Sequence, residues 1–137
     1  MRHWLMKSEP SAYSWDDLVR DKHTSWSGVR NFQAANNLKA MATGDRAFFY
    51  HSNEGKAIMG VVEITRAAYP DPSDKAGRFV MVDVRPLMPV KFPVTLAAIK
   101  ADPRLKSLAL LRQSRLSVSP VESPLWAILA AMAGLKP

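Results

Sequence analysis

The spacing of apolar and polar positions changes several times along the chain, and each change marks an element. His3 to Lys7 is a short apolar run that predicts a strand, stopped at Ser8-Glu9-Pro10 because proline removes a ladder donor. Ser14 predicts a helix start, its hydroxyl capping the next turn, with Asp16 and Asp17 near the positive end of the helix dipole and Leu18 and Val19 supplying an apolar face. From Asn31 to Ala42, the residues Phe32, Ala35, Leu38 and Met41 recur every third position, and Gly44 offers a stop just beyond, so a surface helix is predicted. Arg46 to Ser52 and Ala57 to Ala67 read as two strands of a hairpin turned at Asn53-Glu54-Gly55.

A stretch rich in Pro and Asp, Tyr69 to Gly77, predicts a loop. Beyond it, Arg78 to Val84 alternates Val80, Val82 and Val84 against Phe79, Met81 and Asp83, a strand that Pro86 is expected to end. Thr95 caps Leu96 to Ala101, and Asp102-Pro103 opens a second helical stretch carrying Leu105, Leu108 and Leu111 on one face. Arg115 to Val118 predicts a return strand before Pro120, and Ser123 as cap with Pro124 at the first helical position launches a helix to Gly134. Strands clustered mid-chain and recurring near the end, with helices inserted, predict an α+β fold with a small curved sheet or barrel instead of a regular βαβ stack.

Composition narrows the chemistry. The 137 residues fit one domain over 1–137, and 47% hydrophobic residues supply a sizeable core. Without cysteine there is no disulfide framework, thiolate zinc site, iron-sulfur cluster or cysteine nucleophile. Lys7, Ser8 and Glu9 interrupt the N-terminal apolar run, and Leu125 to Leu135 falls short of the ~20 residues of a membrane helix, so a soluble, cytoplasmic monomer without a membrane partner is expected. A net charge of +7, spread along the chain, fits either a polyanion partner or a solvated basic surface.

The motifs of common enzymes are missing. His3, His23 and His51 form no HxxxH or HxH pair, so no metal site is expected. No GxGxxG, phosphate loop or GxSxG elbow occurs, and no cofactor is expected. Asp16-Asp17 is more simply a helix start than an acid/base pair, because adjacent helical residues do not face each other.

Four segments concentrate polar groups at expected strand ends and loops: Lys7-Ser8-Glu9-Pro10, Trp26 to Asn31, Phe49-Tyr50-His51-Ser52-Asn53, and Arg112 to Ser117. With WLMKSEPSAYSWDDL (Trp4 to Leu18), GDRAFFYHSN (Gly44 to Asn53), AYPDP (Ala68 to Pro72) and RQSRLSVSPV (Arg112 to Val121), the chain resembles an EVE domain over essentially its whole length. That family is similar to the PUA-like group that also contains YTH and ASCH domains. One departure is the short region Asp74 to Arg78, where Arg78-Phe79 stands in place of a longer loop with a tryptophan. The resemblance implies a PUA-like small mixed β-barrel with flanking helices, whose pocket takes a modified nucleobase, modified cytosine above all, from DNA ahead of RNA. It implies a reader and not a catalyst.

By that resemblance the base site draws on Lys7, Ser8, Glu9, Trp26, Val29, Asn31, Phe49, Tyr50, His51, Ser52, Asn53, Leu116 and Ser117, and the phosphate contacts on Arg30, Arg112 and Arg115. The residue chemistry points the same way, since a flipped base needs a flat apolar surface, polar groups for its edge and cations for flanking phosphates. Bland alternatives stand beside these roles. Trp26 can plug the core; Phe48 and Tyr50 face away from Phe49, so either face of that strand can line the pocket. His51 and Glu9 can be structural, and Arg30 and Arg115 can bridge to carboxylates. Two rival functions remain open: an enzyme acting on a modified nucleoside with His51 as base, and a small-molecule or protein-interaction module without a phosphate path.

Overall fold

The computed structural model describes residues 1–135; the last two positions of the unit expected over 1–137 lie outside the described residues. Strands β1 (His3–Ser8), β2 (Thr24–Trp26), β3 (Arg46–His51), β4 (Ala57–Pro70), β5 (Val80–Thr95) and β6 (Val118–Val121) form one sheet in the order β2-β5-β4-β3-β1-β6. β1 runs parallel to β3 and the other pairings are antiparallel, so the sheet is mixed. Helices α1 (Trp15–Asp21), α2 (Phe32–Ala40), α3 (Leu96–Ala101), α4 (Ala109–Arg112) and α5 (Ser123–Met132) cover it, and none is long and apolar enough to cross a membrane.

Alternation along the strands divides the interior in two. Trp4, Met6, Phe49 and Val82 pack with Trp15 and Leu18 of α1 and Ala34, Ala35 and Leu38 of α2. Leu5, Phe48, Tyr50 and Val61 point through the opposite face onto Ile99, Leu105, Trp126 and Leu129. The period of two places Phe49 and Tyr50 in different cores.

Local chemistry sets the helix boundaries. Ser14 Oγ accepts from Asp17 N–H while the Asp17 carboxylate accepts from Ser14 N–H, a reciprocal capping box. Asn31 Oδ1 accepts from Ala34 N–H at 2.9 Å and starts α2. The buried stripe of α2 begins at Ala34, and Phe32 is 66% exposed, so the expected apolar face is shifted.

Several expectations need correction. Backbone pairing does not close the sheet into a barrel: three-residue β2 pairs with β5, four-residue β6 pairs with β1, and α2 packs against β4, β5 and β6 between those edges. The α+β class stands, as an open six-stranded sheet with helices. Pro86 does not end β5, because register shifts near Val61 and Val62 accommodate the proline opposite Val62. β4 likewise extends past Ala67 to Pro70, into the expected loop. The return strand is Val118–Val121 and includes Pro120, which is tolerated at a sheet edge. Glu122, without a side-chain bond, occupies the N-cap of α5 in place of Ser123.

Candidate functional site

β1 and β3 run parallel and bring their C-terminal ends together, with Lys7 beside Tyr50 and Ser8 beside His51. A cavity of about 390 Å³ opens there, lined by Lys7, Ser8, Glu9, Ala12, Tyr13, Thr24, Ser25, Trp26 and Ser27. The chain after β1 turns through Pro10 into α1, carrying Ala12 and Tyr13 over one wall, and β2 supplies the other.

Lys7 ties this cavity to its neighbours. Its Nζ donates to the Ser114 carbonyl at 2.8 Å, its backbone N–H donates to the Ser117 carbonyl at 2.9 Å, and burial lowers its ammonium pKa. It also lines a second cavity, of about 200 Å³, with Tyr50, Ser52, Asn53, Lys56 and Ser114. Ser114 in turn borders a groove of about 360 Å³ formed by Asn31, Gln33, Arg112, Gln113, Arg115 and Leu116. Neither Arg112 nor Arg115 forms an ion pair among the described residues.

Of the residues expected to meet a base, Lys7, Ser8, Glu9 and Trp26 share the first cavity, Tyr50, Ser52 and Asn53 border the second, and Asn31 and Leu116 border the groove. Ser117 contributes its carbonyl to Lys7. Three expected contacts are taken up by the protein itself. Phe49 is fully buried and edge-on to Trp15 and Trp26, with centroids 5.6 Å apart in each pair, so it supports the wall without presenting a stacking face. Val29 is buried in the same core. His51 Nε2 accepts from Trp15 N–H at 3.0 Å, and burial of the ring lowers its pKa, partly offset by Asp16; the neutral imidazole anchors α1.

Arg30 also has a different place. It pairs with Asp71 at 3.3 Å, donates to Ser73 Oγ at 2.9 Å and lies over the Phe79 ring at 5.3 Å. Burial pushes the Asp71 carboxyl up, but donors from Ser73, the Gly28 N–H and Arg30 outweigh it and hold the pKa at about 2. Asp71 thereby fastens the loop that follows Trp26, and Gly28 turns in that loop at φ +78.

Ser25 and Asp83 lie outside every quoted motif, whereas Tyr13 lies within WLMKSEPSAYSWDDL and Asp71 within AYPDP without having been expected at a site. Ser25 Oγ donates to Asp83 at 2.8 Å, and Tyr69 OH donates to the same carboxylate oxygen.

The family model of the EVE domain matches residues 2–132. The chain belongs to the EVE domain family. This EVE domain is 37% identical to human thymocyte nuclear protein 1 over 153 residues, spanning 87% of this chain and 68% of that protein. An NMR structure of a Rhodopseudomonas palustris protein is 53% identical with a TM-score of 0.93, over 98% of this chain and 94% of that one. The crystal structure of human THYN1 in complex with 5-methylcytosine-containing DNA has a TM-score of 0.92 at 33% identity, over 100% of both chains. A YTH domain of Zygosaccharomyces rouxii, at 17% identity and a TM-score of 0.58 over 96% of this chain and 86% of that one, shares the fold with this EVE domain.

Proposed function

We propose that this EVE domain is a nucleic-acid reader that takes a modified base, modified cytosine in DNA first, into the cavity between Lys7 and Trp26, without turnover. The observation that carries the proposal is that Trp26 and the polar end of β1, Lys7 to Glu9, line one cavity of about 390 Å³, while the Lys7 ammonium reaches the Ser114 carbonyl of the neighbouring groove that bears Arg112 and Arg115. The indole offers a π-face to a base, polar groups of β1 can meet its edge, and the groove's cations can meet flanking phosphates, which position the strand without reading it. The relative bound to 5-methylcytosine DNA supports this reading.

Extraction of a base from a paired stack costs a few kcal/mol, which single strands and mismatches partly avoid. The testing experiment is equilibrium binding to oligonucleotides that differ at one position, cytosine or 5-methylcytosine, in single-stranded, mismatched and matched form. Preference for the modified base, at least as strong in single-stranded or mismatched DNA as in matched duplex, is expected. Equal affinity for modified and unmodified DNA in every form refutes it, and a new nucleoside product on incubation replaces the reader with an enzyme.

A further inference from the structure

Tyr50 carries a hydroxyl that the fold leaves without a partner. The residue is 3% exposed and belongs to the core of Leu5, Phe48 and Ile58, yet its phenol makes no hydrogen bond among the described residues. Sealed side-chain polar atoms without a partner are confined to His3 Nδ1 and Arg46 Nε among those residues, so the Tyr50 hydroxyl is not closed off. It opens on the cavity of about 200 Å³ that Tyr50 lines with Lys7, Ser52, Asn53, Lys56 and Ser114. Burial pushes the phenol pKa up, which keeps the group an O–H donor. A buried donor without an acceptor is costly, and protein, water or ligand ordinarily supplies one.

The charges around this hydroxyl are all of one sign. Strand alternation puts Lys7 on the face of Leu5, and the parallel register sets it beside Tyr50. Burial lowers the pKa of its ammonium, and the Ser114 carbonyl, which accepts from it at 2.8 Å, satisfies one donor without supplying a countercharge. Lys56 follows the hairpin turn, where Asn53 and Gly55 take φ of 65° and 74°. Lys56 itself holds φ 30°, pinned by the Leu96 N–H, which donates to its carbonyl at 2.8 Å. No carboxylate lines this cavity, nor the recess of about 350 Å³ that continues from Lys56 and Leu96 to Lys100; Glu54, in the turn, lines neither. Lys7, Lys56 and Lys100 form no ion pair among the described residues. Tyrosine, serine, asparagine and lysine donors gathered without an anion are the set that meets phosphate oxygens.

We infer that the cavity around Tyr50 holds a phosphodiester of the bound strand, next to the nucleotide whose base enters the Lys7–Trp26 cavity, with the Tyr50 hydroxyl donating to a phosphate oxygen and Lys7 and Lys56 balancing its charge. The inference rests on the proposal that the Lys7–Trp26 cavity takes a base. Lys7 lines both cavities, so one residue joins them, and in a nucleotide a single sugar separates base from phosphate. Ser114 joins the Tyr50 cavity to the groove of Arg112 and Arg115, and Lys56 joins it to Lys100. The strand's phosphates therefore run from the arginine groove past Tyr50 toward Lys100, and the base leaves that line at Lys7. Tyr50, Ser52 and Asn53 position the strand and do not read the base.

Tyr50→Phe removes the hydroxyl and keeps the core ring, and Lys56→Ala changes an exposed turn position. The test titrates both variants and the parent protein with single-stranded oligonucleotides carrying one central cytosine or 5-methylcytosine. A second set of 5-methylcytosine strands replaces one neighbouring phosphate at a time by an uncharged methylphosphonate. Tyr50→Phe is expected to weaken both plain strands alike, by on the order of tenfold, and to leave their ratio unchanged. Lys56→Ala is expected to reduce the log-log salt slope by roughly 0.7, the single-strand value for one phosphate. One methylphosphonate position is expected to weaken the parent protein and to erase its difference from Tyr50→Phe, while the other positions preserve that difference. A parent protein that prefers 5-methylcytosine, with Tyr50→Phe indistinguishable from it or weakened equally at every methylphosphonate position, overturns the inference and leaves the reader standing. Loss of the preference in Tyr50→Phe also overturns it, because the hydroxyl would then touch the base. Equal binding of cytosine and 5-methylcytosine by the parent protein removes the reader and, with it, the phosphate placed beside its base. Inorganic phosphate, against chloride at matched ionic strength, is expected to leave strand binding unchanged at millimolar levels; displacement that Tyr50→Phe abolishes would give the cavity to a free anion and overturn the strand as its occupant.

Discussion

The Trp26 indole stands edge-on to the fully buried Phe49 ring, centroids 5.6 Å apart and planes at 86°. The same indole is 9% exposed and lines the cavity, so it is core on one side and wall on the other. Trp26→Ala is therefore expected to cost about 3 kcal/mol of stability as well as on the order of 1 to 3 kcal/mol of binding. Trp26→Phe retains a stacking ring and is expected to recover most of the stability. Urea denaturation and oligonucleotide titration of both variants separate the contributions; an unchanged preference for the modified base in Trp26→Ala would remove Trp26 from the site.

His51 contributes a pH dependence of stability. Its pKa in the folded protein lies below the ordinary 6.5, because burial opposes the charged ring, and its Nε2 accepts from Trp15 N–H. The unfolded chain binds the proton more readily, so the contribution is fully present above about pH 6.5 and is lost as pH falls through the folded value. Denaturation midpoints between pH 8 and 5 should decline, and His51→Ala should flatten the decline; His3, whose pKa burial also lowers, accounts for the remainder.

Asp71 acts at lower pH. Its ordinary pKa of 3.8 falls to about 2 in the fold, and the gap corresponds to about 2 kcal/mol of stability that is present above about pH 4 and lost as pH falls toward 2. Asp71→Asn should lose a comparable amount at neutral pH and show a shallower acid transition in circular dichroism. Neutral-pH stability equal to that of the parent protein would show that the loop after Trp26 does not depend on this carboxylate.

The arginines divide by their partners. Arg112, on the groove and without an ion pair among the described residues, should contribute one phosphate contact: Arg112→Ala is expected to weaken modified and unmodified oligonucleotides alike and to reduce the log-log salt slope by about one. Arg30→Ala, which breaks the pair with Asp71, should lower stability with little change in that slope. Affinities measured from low to physiological salt distinguish the two, and an unchanged slope in Arg112→Ala would place the phosphates elsewhere.

Much of the fold was legible because short-range chemistry fixes it. Ser14, Asn31 and Thr95 each cap the helix that their side chains announce, and Asn53-Glu54-Gly55 turns the expected hairpin. Misreadings arose where distant pairing overrides local preference. Pro86 continues a strand because bulges opposite it relax the ladder, and Thr24–Trp26 forms a strand too short to show a period. The site divides along the same line. Lys7, Ser8, Glu9 and Trp26 lie on segments singled out by the sequence and share the cavity, whereas Phe49, His51 and Arg30 have chemistry suited to a ligand but find partners within the fold. The cluster of Asp83 with Ser25 and Tyr69 was not legible because its members come from separate parts of the chain.

The most direct measurement is a solution NMR titration of the isotope-labelled protein with a single-stranded oligonucleotide carrying one 5-methylcytosine, against the same oligonucleotide with cytosine. The modified strand is expected to shift the Trp26 indole and the backbone signals of Lys7, Ser8 and Ser25 beyond any change the unmodified strand produces, while signals around Arg112 and Arg115 respond to both. Changes confined to the Arg112–Arg115 groove, identical for the two strands, would contradict a base seated between Lys7 and Trp26.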